Sequence, residues 1–264
     1  MKTALILPGG GLKGAIELGA CKVILKKIIP DLIIGTSAGA LNGAAFGNGD
    51  DLEENLRKIE RVWLDYKKKT FFALNLELFY KMYHAQSIYS NERLYAVINT
   101  FLSVRKLEDL KIPLFINCTN LISGKSEFFS QGDILDPLVA SCSHAPLLPP
   151  VYINKIPYAD GSLGSVFGVE KALELNCKRV IIVNVQSSEP EVLQFRSFRE
   201  HIEYSLALLH NQNVRNEIEI CKDHKMKIIE IKPTTALTDV LSMRVSDMPK
   251  LIELGEKEAA KVFE

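Results

Sequence analysis

The sequence predicts an α/β fold of three layers, in which helices cover both faces of a mostly parallel central sheet. Five short apolar runs, bounded by Gly, Pro or Asn, are predicted as strands. They are 4–7, 32–34, 114–119, 180–185 and 228–231. The segments between them, such as 12–29 and 53–64, space their apolar residues as helices do. Continuously apolar strands that alternate with helices are typical of parallel sheets buried on both faces.

The remaining elements follow in chain order. A hairpin is predicted over 151–158, and the C-terminal third contains a long amphipathic helix over 195–222 and a closing helix over 247–263. The stretch TFFALNLELFYKMYH at 70–84 crowds apolar and aromatic side chains into a short region. This crowding indicates either core packing or a lid or membrane-facing patch.

Length and composition predict one soluble domain over residues 1–264. The chain has 264 residues, no internal repeat and no Pro/Gly-rich linker. Its 32 basic side chains are balanced by 32 acidic ones, which argues against nucleic acid as a partner. The five cysteines lack C-x-x-C spacing and are expected to be buried thiols in a reducing, cytoplasmic setting. We expect neither a signal peptide nor a membrane span.

The first strand is followed by the glycine-rich stretch LILPGGGLKG. Gly9, Gly11 and Gly14 satisfy G-x-G-x-x-G, the pattern of a dinucleotide-binding turn. Exposed backbone N–H groups at such a turn also bind the oxyanion of a tetrahedral intermediate. The stretch alone leaves both possibilities open.

The second strand is followed by G-x-S-x-G, with Ser37 between Gly35 and Gly39. In a nucleophile elbow, the serine occupies a sharp strand-to-helix turn, and the two glycines relieve crowding around it. A dinucleotide fold would instead end this strand in an acidic residue. The nearest acid, Asp31, precedes the strand. We therefore interpret the glycine turn as an anion cradle for catalysis.

A candidate base follows a rigid, proline-rich segment. The hairpin over 151–158 leads to Asp160 and Gly161, where glycine permits a tight turn that holds a carboxylate at the sheet edge. Asp-Gly is also a very common turn dipeptide, so the pair by itself is weak evidence. The acids at 50–54 are explained by helix capping and the helix dipole, and no metal site is predicted.

Together these three motifs resemble the patatin-like phospholipase family. Family members carry a G-G-G-x-[KR]-G turn, matched by residues 9–14, and a G-x-S-x-G elbow, matched by residues 35–39. They also carry a Ser/Pro segment followed by D-G-[GA], matched by 140–150 and then by Asp160 and Gly161. Three ordered motifs are far more specific than any one of them.

The likeness is close over 3–49 and 140–163, and elsewhere it extends only to element order. Two residues depart from the family pattern. Ser162 stands where Gly or Ala is expected, and it is similarly small. His144 stands where a small or apolar residue is expected, so it either lines the substrate pocket or is hydrogen-bonded at a turn.

The resemblance implies a lipid acyl hydrolase with a Ser-Asp dyad and no metal or cofactor. Ser37 would attack the ester carbonyl, and Asp160 would take its proton. The oxyanion would be bound by backbone N–H groups of the glycine turn and elbow, which are Gly9, Gly10, Gly11 and Ala38. Lys13 would either steer an anionic headgroup or be a solvated lysine.

The implied substrate is a lipid or phospholipid ester, reached by transient contact with a membrane surface. The sequence indicates no oligomeric state. Three alternatives stay open: a Ser-Asp-His triad using His201, His210 or His224, a dinucleotide-binding protein, and a non-catalytic scaffold. The three histidines lie in the predicted C-terminal helical region, which offers no turn to present an imidazole to Ser37.

Overall fold

The fold is taken from a computed structural model of the chain, which describes residues 1–65, 87, 89–185, 198–233 and 245–263. The aromatic stretch at 70–84 lies outside these described residues. Among the helices of the described ranges, none has the length and apolar character that crossing a bilayer requires.

A single mixed sheet of eight strands forms the middle layer. The strands are β1 (Thr3–Leu7), β2 (Leu32–Thr36), β3 (Leu114–Asn120), β4 (Ser126–Phe129), β5 (Val151–Ile153), β6 (Ile156–Asp160), β7 (Arg179–Val183) and β8 (Lys227–Ile231). Their order is β5-β6-β3-β2-β1-β7-β8, and β4 also pairs with β3. Neighbouring strands are parallel along β3-β2-β1-β7-β8. β4 and β6 run antiparallel to β3, and β5 runs antiparallel to β6.

Helices cover both faces of the sheet. They are α1 (Gly14–Lys27), α2 (Ala38–Phe46), α3 (Leu52–Leu64), α4 (Glu92–Phe101), α5 (Leu135–Cys142), α6 (Val169–Glu174), α7 (Phe198–Asp223) and α8 (Met248–Phe263). Short 3-10 turns occur at Gly11–Lys13, Leu107–Asp109, Gly161–Leu163 and Val245–Asp247.

Side chains of β1 show how the layers are built. Leu5 and Leu7 point into the larger core cluster, which includes residues of α1, α2 and α3. Ala4 and Ile6 point to the opposite face, where they join residues of α6 and α7. Because successive residues of a strand face opposite sides, an uninterrupted apolar run buries both faces of the sheet. The predicted three-layer α/β/α architecture is confirmed.

The predicted strands and the hairpin are present, with boundaries shifted by a few residues. Four elements were not predicted: β4, α4, α5 and α6. The helix predicted from residue 12 begins at Gly14, because residues 11–13 form a 3-10 turn. The prediction of one domain over residues 1–264 stays a prediction.

The acidic residues at 50–54 begin a helix, as the sequence indicated. The Asp51 side chain accepts a hydrogen bond from the Glu54 backbone N–H at 2.9 Å and so caps α3. Asp50 pairs with Lys111 at 2.7 Å. Within the described ranges, no group of three or more His, Cys, Asp or Glu side chains is placed to hold a metal ion.

Candidate active site

Ser37 lies in a strained turn between β2 and α2. Its backbone has φ 53° and ψ −125°, a region that non-glycine residues rarely occupy. A Cβ atom at Gly39 would lie 2.1 Å from the Leu7 carbonyl oxygen, and one at Gly35 would lie 2.7 Å from the Ala40 Cα. The predicted reason for glycine at both positions is therefore confirmed: no side chain fits there.

The glycine-rich loop lies directly against this turn. β1 and β2 are parallel, and Leu7 is in register with Gly35, so the segments that follow both strands leave the sheet at the same edge. A Cβ atom at Gly9 would lie 2.4 Å from the Thr36 carbonyl oxygen and 3.0 Å from the Ser37 Cβ. Gly9, Gly10 and Gly11 all have positive φ, which L-residues with side chains disfavour. The loop backbone thus borders the Ser37 turn.

A buried glutamate, which the sequence analysis did not identify, holds this loop. Glu17 of α1 is fully buried, and its Oε1 accepts a hydrogen bond from the Gly9 N–H at 2.8 Å. Its Oε2 accepts one from Asn42 Nδ2 at 3.2 Å, and Asn42 Oδ1 accepts one from Trp63 Nε1 at 2.9 Å. Burial raises the pKa of Glu17 to about 8, although the bonds from Gly9 and Asn42 lower it.

The Glu17 contact corrects one expectation. The Gly9 N–H is directed into the protein interior, towards a carboxyl oxygen, and does not face outward to an oxyanion. Gly9 therefore shapes the loop, and the candidate oxyanion donors are reduced to Gly10, Gly11 and Ala38. The sequence carried a weak signal for this contact, since Glu17 is an acidic residue in the otherwise apolar and small stretch that begins α1.

Asp160 approaches the Ser37 turn from the opposite direction along β3. It ends β6, is 2% exposed and is in register with Cys118 of β3. On the same side of β3, Thr36 is in register with the preceding residue, Asn117, because β4 pairs with residues 116–119 along the other side. β2 and β6 therefore meet end to end, and Thr36 and Asp160 differ along β3 by one residue, a rise of about 3.3 Å. Ser37 and Asp160, far apart in sequence, are therefore brought to one place.

Two serines near the end of α5 hydrogen-bond to the backbones of Ser37 and Asp160. Ser141 Oγ accepts a hydrogen bond from the Ser37 N–H at 2.8 Å and donates one to the Asn117 carbonyl at 2.7 Å. The Ser143 carbonyl accepts a hydrogen bond from the Asp160 N–H at 3.0 Å. The Asp160 carboxylate also accepts one from the Ser162 N–H at 3.0 Å. The Ser/Pro segment thus fixes the two candidate residues relative to each other.

The Asn117 side chain adds further hydrogen bonds across the site. Its Nδ2 donates to Thr36 Oγ1 at 3.1 Å, to the Gly161 carbonyl at 3.2 Å and to the Ser165 carbonyl at 2.8 Å. The side chain therefore joins the end of β2 to the turn that follows Asp160. A Cβ atom at Gly161 would lie 2.4 Å from the Asn117 carbonyl oxygen, which explains glycine after the aspartate.

Cys142 lies close to both candidate residues. Burial raises the pKa of its thiol far above the ordinary range, the charge of Asp160 raises it further, and a hydrogen bond with the Ser37 side chain lowers it. The prediction of buried thiols is confirmed for Cys21, Cys118, Cys177 and Cys221, whereas Cys142 is only half-buried. The thiol stays protonated at neutral pH and packs beside the serine as a small neutral group.

Lys13, His144 and His210 lie near one another. Burial lowers the pKa of His210 to about 4, and the positive charges of Lys13 and His144 lower it further. Lys13 is 7% exposed, so the alternative of a solvated lysine is wrong. His144 is exposed in a turn, where its carbonyl accepts from the N–H groups of Leu147 and Leu148.

The three histidines of the alternative triad differ in setting. His210 is half-buried on α7, and among the described residues its Nε2 has no hydrogen-bond partner. His224 directly follows α7 and is exposed, with Nδ1 3.0 Å from the Ile220 carbonyl oxygen. The His201 side chain lies outside the described side chains. Asp31 lies at the opposite sheet edge, where it accepts from the Thr3 N–H at 2.7 Å.

Comparison with known sequences gives a consistent set of relatives. The profile of the family described as Patatin-like phospholipase matches residues 5–173. Lysophospholipase nte1 of Aspergillus terreus is 28% identical over 191 residues, which cover 72% of this chain and 12% of that protein. Patatin-like phospholipase domain-containing protein 7 of Mus musculus is 25% identical over 189 residues, covering 70% of this chain and 14% of that protein.

Two further comparisons extend this set. Neuropathy target esterase sws of Drosophila melanogaster is 27% identical over 188 residues, covering 70% of this chain and 13% of that protein. The chain therefore spans only a small part of the length of these curated relatives. Among solved structures, VipD from Legionella pneumophila superposes with a TM-score of 0.51 at 12% identity, covering 99% of this chain and 66% of that one. This last likeness concerns the fold alone.

Proposed function

Because the chain belongs to the patatin-like phospholipase family, we propose that it is a serine lipid acyl hydrolase that uses a Ser37-Asp160 dyad. One observation carries the proposal. A strained serine turn and a buried aspartate lie at the ends of β2 and β6, which meet on the same side of β3, and one short segment holds both by hydrogen bonds. A turn of this form holds a serine hydroxyl away from the helix that follows it, where a substrate can reach it.

The proposed reaction begins with attack of Ser37 Oγ on the carbonyl carbon of a fatty acyl ester. Asp160 takes the hydroxyl proton as the new C–O bond forms, and then gives it to the leaving alcohol as the old C–O bond breaks. Water attacks the resulting acyl-serine, and its proton passes to Asp160. Collapse of the second intermediate returns a proton to Ser37 and releases the fatty acid.

The oxyanion of each tetrahedral intermediate would be bound by the N–H groups of Gly10, Gly11 and Ala38. Gly10 and Gly11 belong to the loop that borders Ser37, and Ala38 is the first residue of α2. N–H groups in the first turn of a helix have no intrahelical acceptor and lie at its positive end. Removal of one such donor costs about 3 to 4 kcal/mol of transition-state stabilisation in comparable enzymes.

The relatives and the site support a class of substrate. Two of the relatives are named lysophospholipases or esterases, and the family is that of phospholipases. We therefore propose a phospholipid or lysophospholipid ester as the substrate. Lys13 and His144 both lie near His210, and we propose that Lys13 and His144 contact an anionic headgroup.

A second mechanism has one specific observation in its favour. His210 lies close to Lys13, which follows the glycine loop, and its Nε2 has no partner among the described residues. With a pKa of about 4, its imidazole is neutral at neutral pH and able to accept a proton. In a Ser-Asp-His mechanism, His210→Ala would abolish turnover. In the dyad mechanism it would leave kcat within about tenfold of wild type.

Hydrolysis of lysophosphatidylcholine and of a soluble nitrophenyl ester by purified variants tests the proposal. We expect Ser37→Ala and Asp160→Asn each to lower kcat by about 10⁴-fold or more. Ser246→Ala and Asp50→Asn change an exposed hydroxyl and an exposed carboxylate and serve as matched controls. Full turnover by Ser37→Ala would refute the serine mechanism. Loss of turnover in the single variant His210→Ala, in addition to the losses in Ser37→Ala and Asp160→Asn, would favour the triad.

A further inference from the structure

Two hairpin turns project beyond the sheet edge that carries Ser37. The β3–β4 turn, residues 121–125, follows the end of β3, and β3 is parallel to β2. β6 is antiparallel to β3 with Tyr158 in register with Asn120, so the β5–β6 turn at Asn154 and Lys155 lies beyond the same edge. Both turns therefore border the side of the molecule on which the candidate active site lies.

These turns expose large apolar side chains that lie next to one another. Ile122 is 74% exposed, Tyr152 is 57% exposed and Leu121 is 43% exposed. The Leu121 N–H donates to the Pro157 carbonyl at 2.9 Å, and Tyr152 is in register with Pro157. Single exposed apolar residues are normal on soluble proteins, whereas a contiguous group beside a functional site indicates an interaction surface.

The charges of the same turns are all positive. Lys125 and Lys155 are exposed, and neither residues 121–125 nor residues 152–157 include an acidic residue. We call Leu121, Ile122, Lys125, Tyr152 and Lys155 the hairpin rim. Apolar side chains flanked by lysines match a surface of anionic headgroups over acyl chains, because lysine stems pack on the apolar layer while their ammonium groups stay at the headgroups.

We propose that the hairpin rim docks the protein on an anionic phospholipid surface. This inference rests on the proposed function, because docking on such a surface serves catalysis only if the substrate is a membrane lipid. The rim continues towards the site through Leu163, which is 48% exposed and lies three residues after Asp160. Docking by the rim would bring the edge that carries Ser37 to the membrane.

Vesicle binding by the Ser37→Ala protein tests the docking without interference from hydrolysis. The vesicles are phosphatidylcholine with or without phosphatidylserine, and bound protein is measured by flotation. We expect Ile122→Ser to weaken binding to the mixed vesicles by about tenfold. Lys125→Gln and Lys155→Gln should each weaken it by about fivefold, with no change on pure phosphatidylcholine.

Ile29→Ser is the matched control. Ile29 is 61% exposed and also stands beside two exposed lysines, Lys26 and Lys27, but it lies before β2 at the opposite sheet edge. Its replacement should leave vesicle binding unchanged. Equal losses for Ile29→Ser and Ile122→Ser, or no loss for Ile122→Ser, would overturn the docking proposal.

A second measurement separates this inference from the proposed function. In the otherwise wild-type protein, Ile122→Ser should reduce hydrolysis of vesicle lipids and leave hydrolysis of a soluble ester unchanged. Equal loss on both substrates would overturn the docking role. Ser37-independent hydrolysis would overturn the proposed mechanism, and the flotation result would still decide the docking.

Discussion

Substitution of Glu17 is predicted to change both catalysis and the pH dependence of stability, because this one buried carboxyl group holds the glycine loop and has a raised pKa. Its Oε1 accepts the Gly9 N–H at 2.8 Å, and no part of its side chain is exposed. Glu17→Ala removes this acceptor and leaves a buried N–H without a partner, whereas Glu17→Gln keeps an oxygen in place. If the contact orients the loop whose next residues bind the oxyanion, the two variants must differ in kcat.

The size of the effects follows from the contact and from the raised pKa. A buried N–H left without an acceptor costs about 1 to 3 kcal/mol, so if this cost falls on the transition state, Glu17→Ala should lower kcat by about fivefold to 150-fold. Glu17→Gln should stay within about threefold of wild type at neutral pH.

Stability depends on pH through the same group. The pKa of Glu17 rises from its ordinary value of 4.5 to about 8, mainly because the side chain is buried. The folded protein therefore keeps a proton that the unfolded chain releases, and its free energy of unfolding falls as pH rises through this window. The slope is about 1.4 kcal/mol per pH unit, or about 5 kcal/mol across the whole window. Glu17→Gln lacks this loss, so its stability relative to wild type increases with pH.

Urea unfolding between pH 5 and pH 8 and pH profiles of kcat/KM measure these effects. Above a pH of about 8, wild-type activity should fall tenfold per pH unit, because an ionised Glu17 places negative charge behind the oxyanion site. Glu17→Gln should lack this decline. A difference in unfolding free energy that is independent of pH, or equal kcat values for Glu17→Ala and Glu17→Gln, would refute this role of Glu17.

Three further predictions concern residues around the site. Ser141→Ala removes the acceptor of the Ser37 N–H, so kcat should fall about tenfold, with the change in melting temperature as the control for folding. Gly39→Ala forces a Cβ to within 2.1 Å of the Leu7 carbonyl oxygen and should destabilise the protein by about 3 kcal/mol or more in urea unfolding, and a stability near wild type would contradict the packing described. Cys142 should react with iodoacetamide at least about tenfold more slowly than a peptide cysteine at pH 8, since its pKa is raised, and rapid alkylation would show a different environment.

The central strands were predictable because each is buried on both faces. Runs such as Leu32–Thr36 contain no alternation of polar residues, and burial of every position explains that pattern. β4 escaped prediction because its four residues are all half-buried at the margin of the sheet. α5 escaped because it is short and contains Pro137 in its first turn, where proline is compatible with a helix.

The candidate site was predictable only where the motif residues themselves carry a steric requirement. Glycines beside Ser37 and after Asp160 are required by close backbone contacts, and such contacts leave a mark on the sequence. The side chains of Glu17, Asn117 and Ser141 act through partners that are 8 to 104 positions away, and nothing local distinguishes them from ordinary polar residues. The predicted role of Gly9 as an oxyanion donor was wrong for the same reason, because the acceptor of its N–H is the buried Glu17 carboxyl group.

The structure of a fluorophosphonate adduct tests the central claim most directly. Attack of the nucleophilic oxygen on phosphorus displaces fluoride and leaves a tetrahedral group that mimics the first intermediate. We predict a covalent bond to Ser37 Oγ, a phosphonyl oxygen within hydrogen-bond distance of the Gly10, Gly11 and Ala38 N–H groups, and the Asp160 carboxylate on the other side. Modification of another residue, or a phosphonyl oxygen turned away from the glycine loop, would contradict the account.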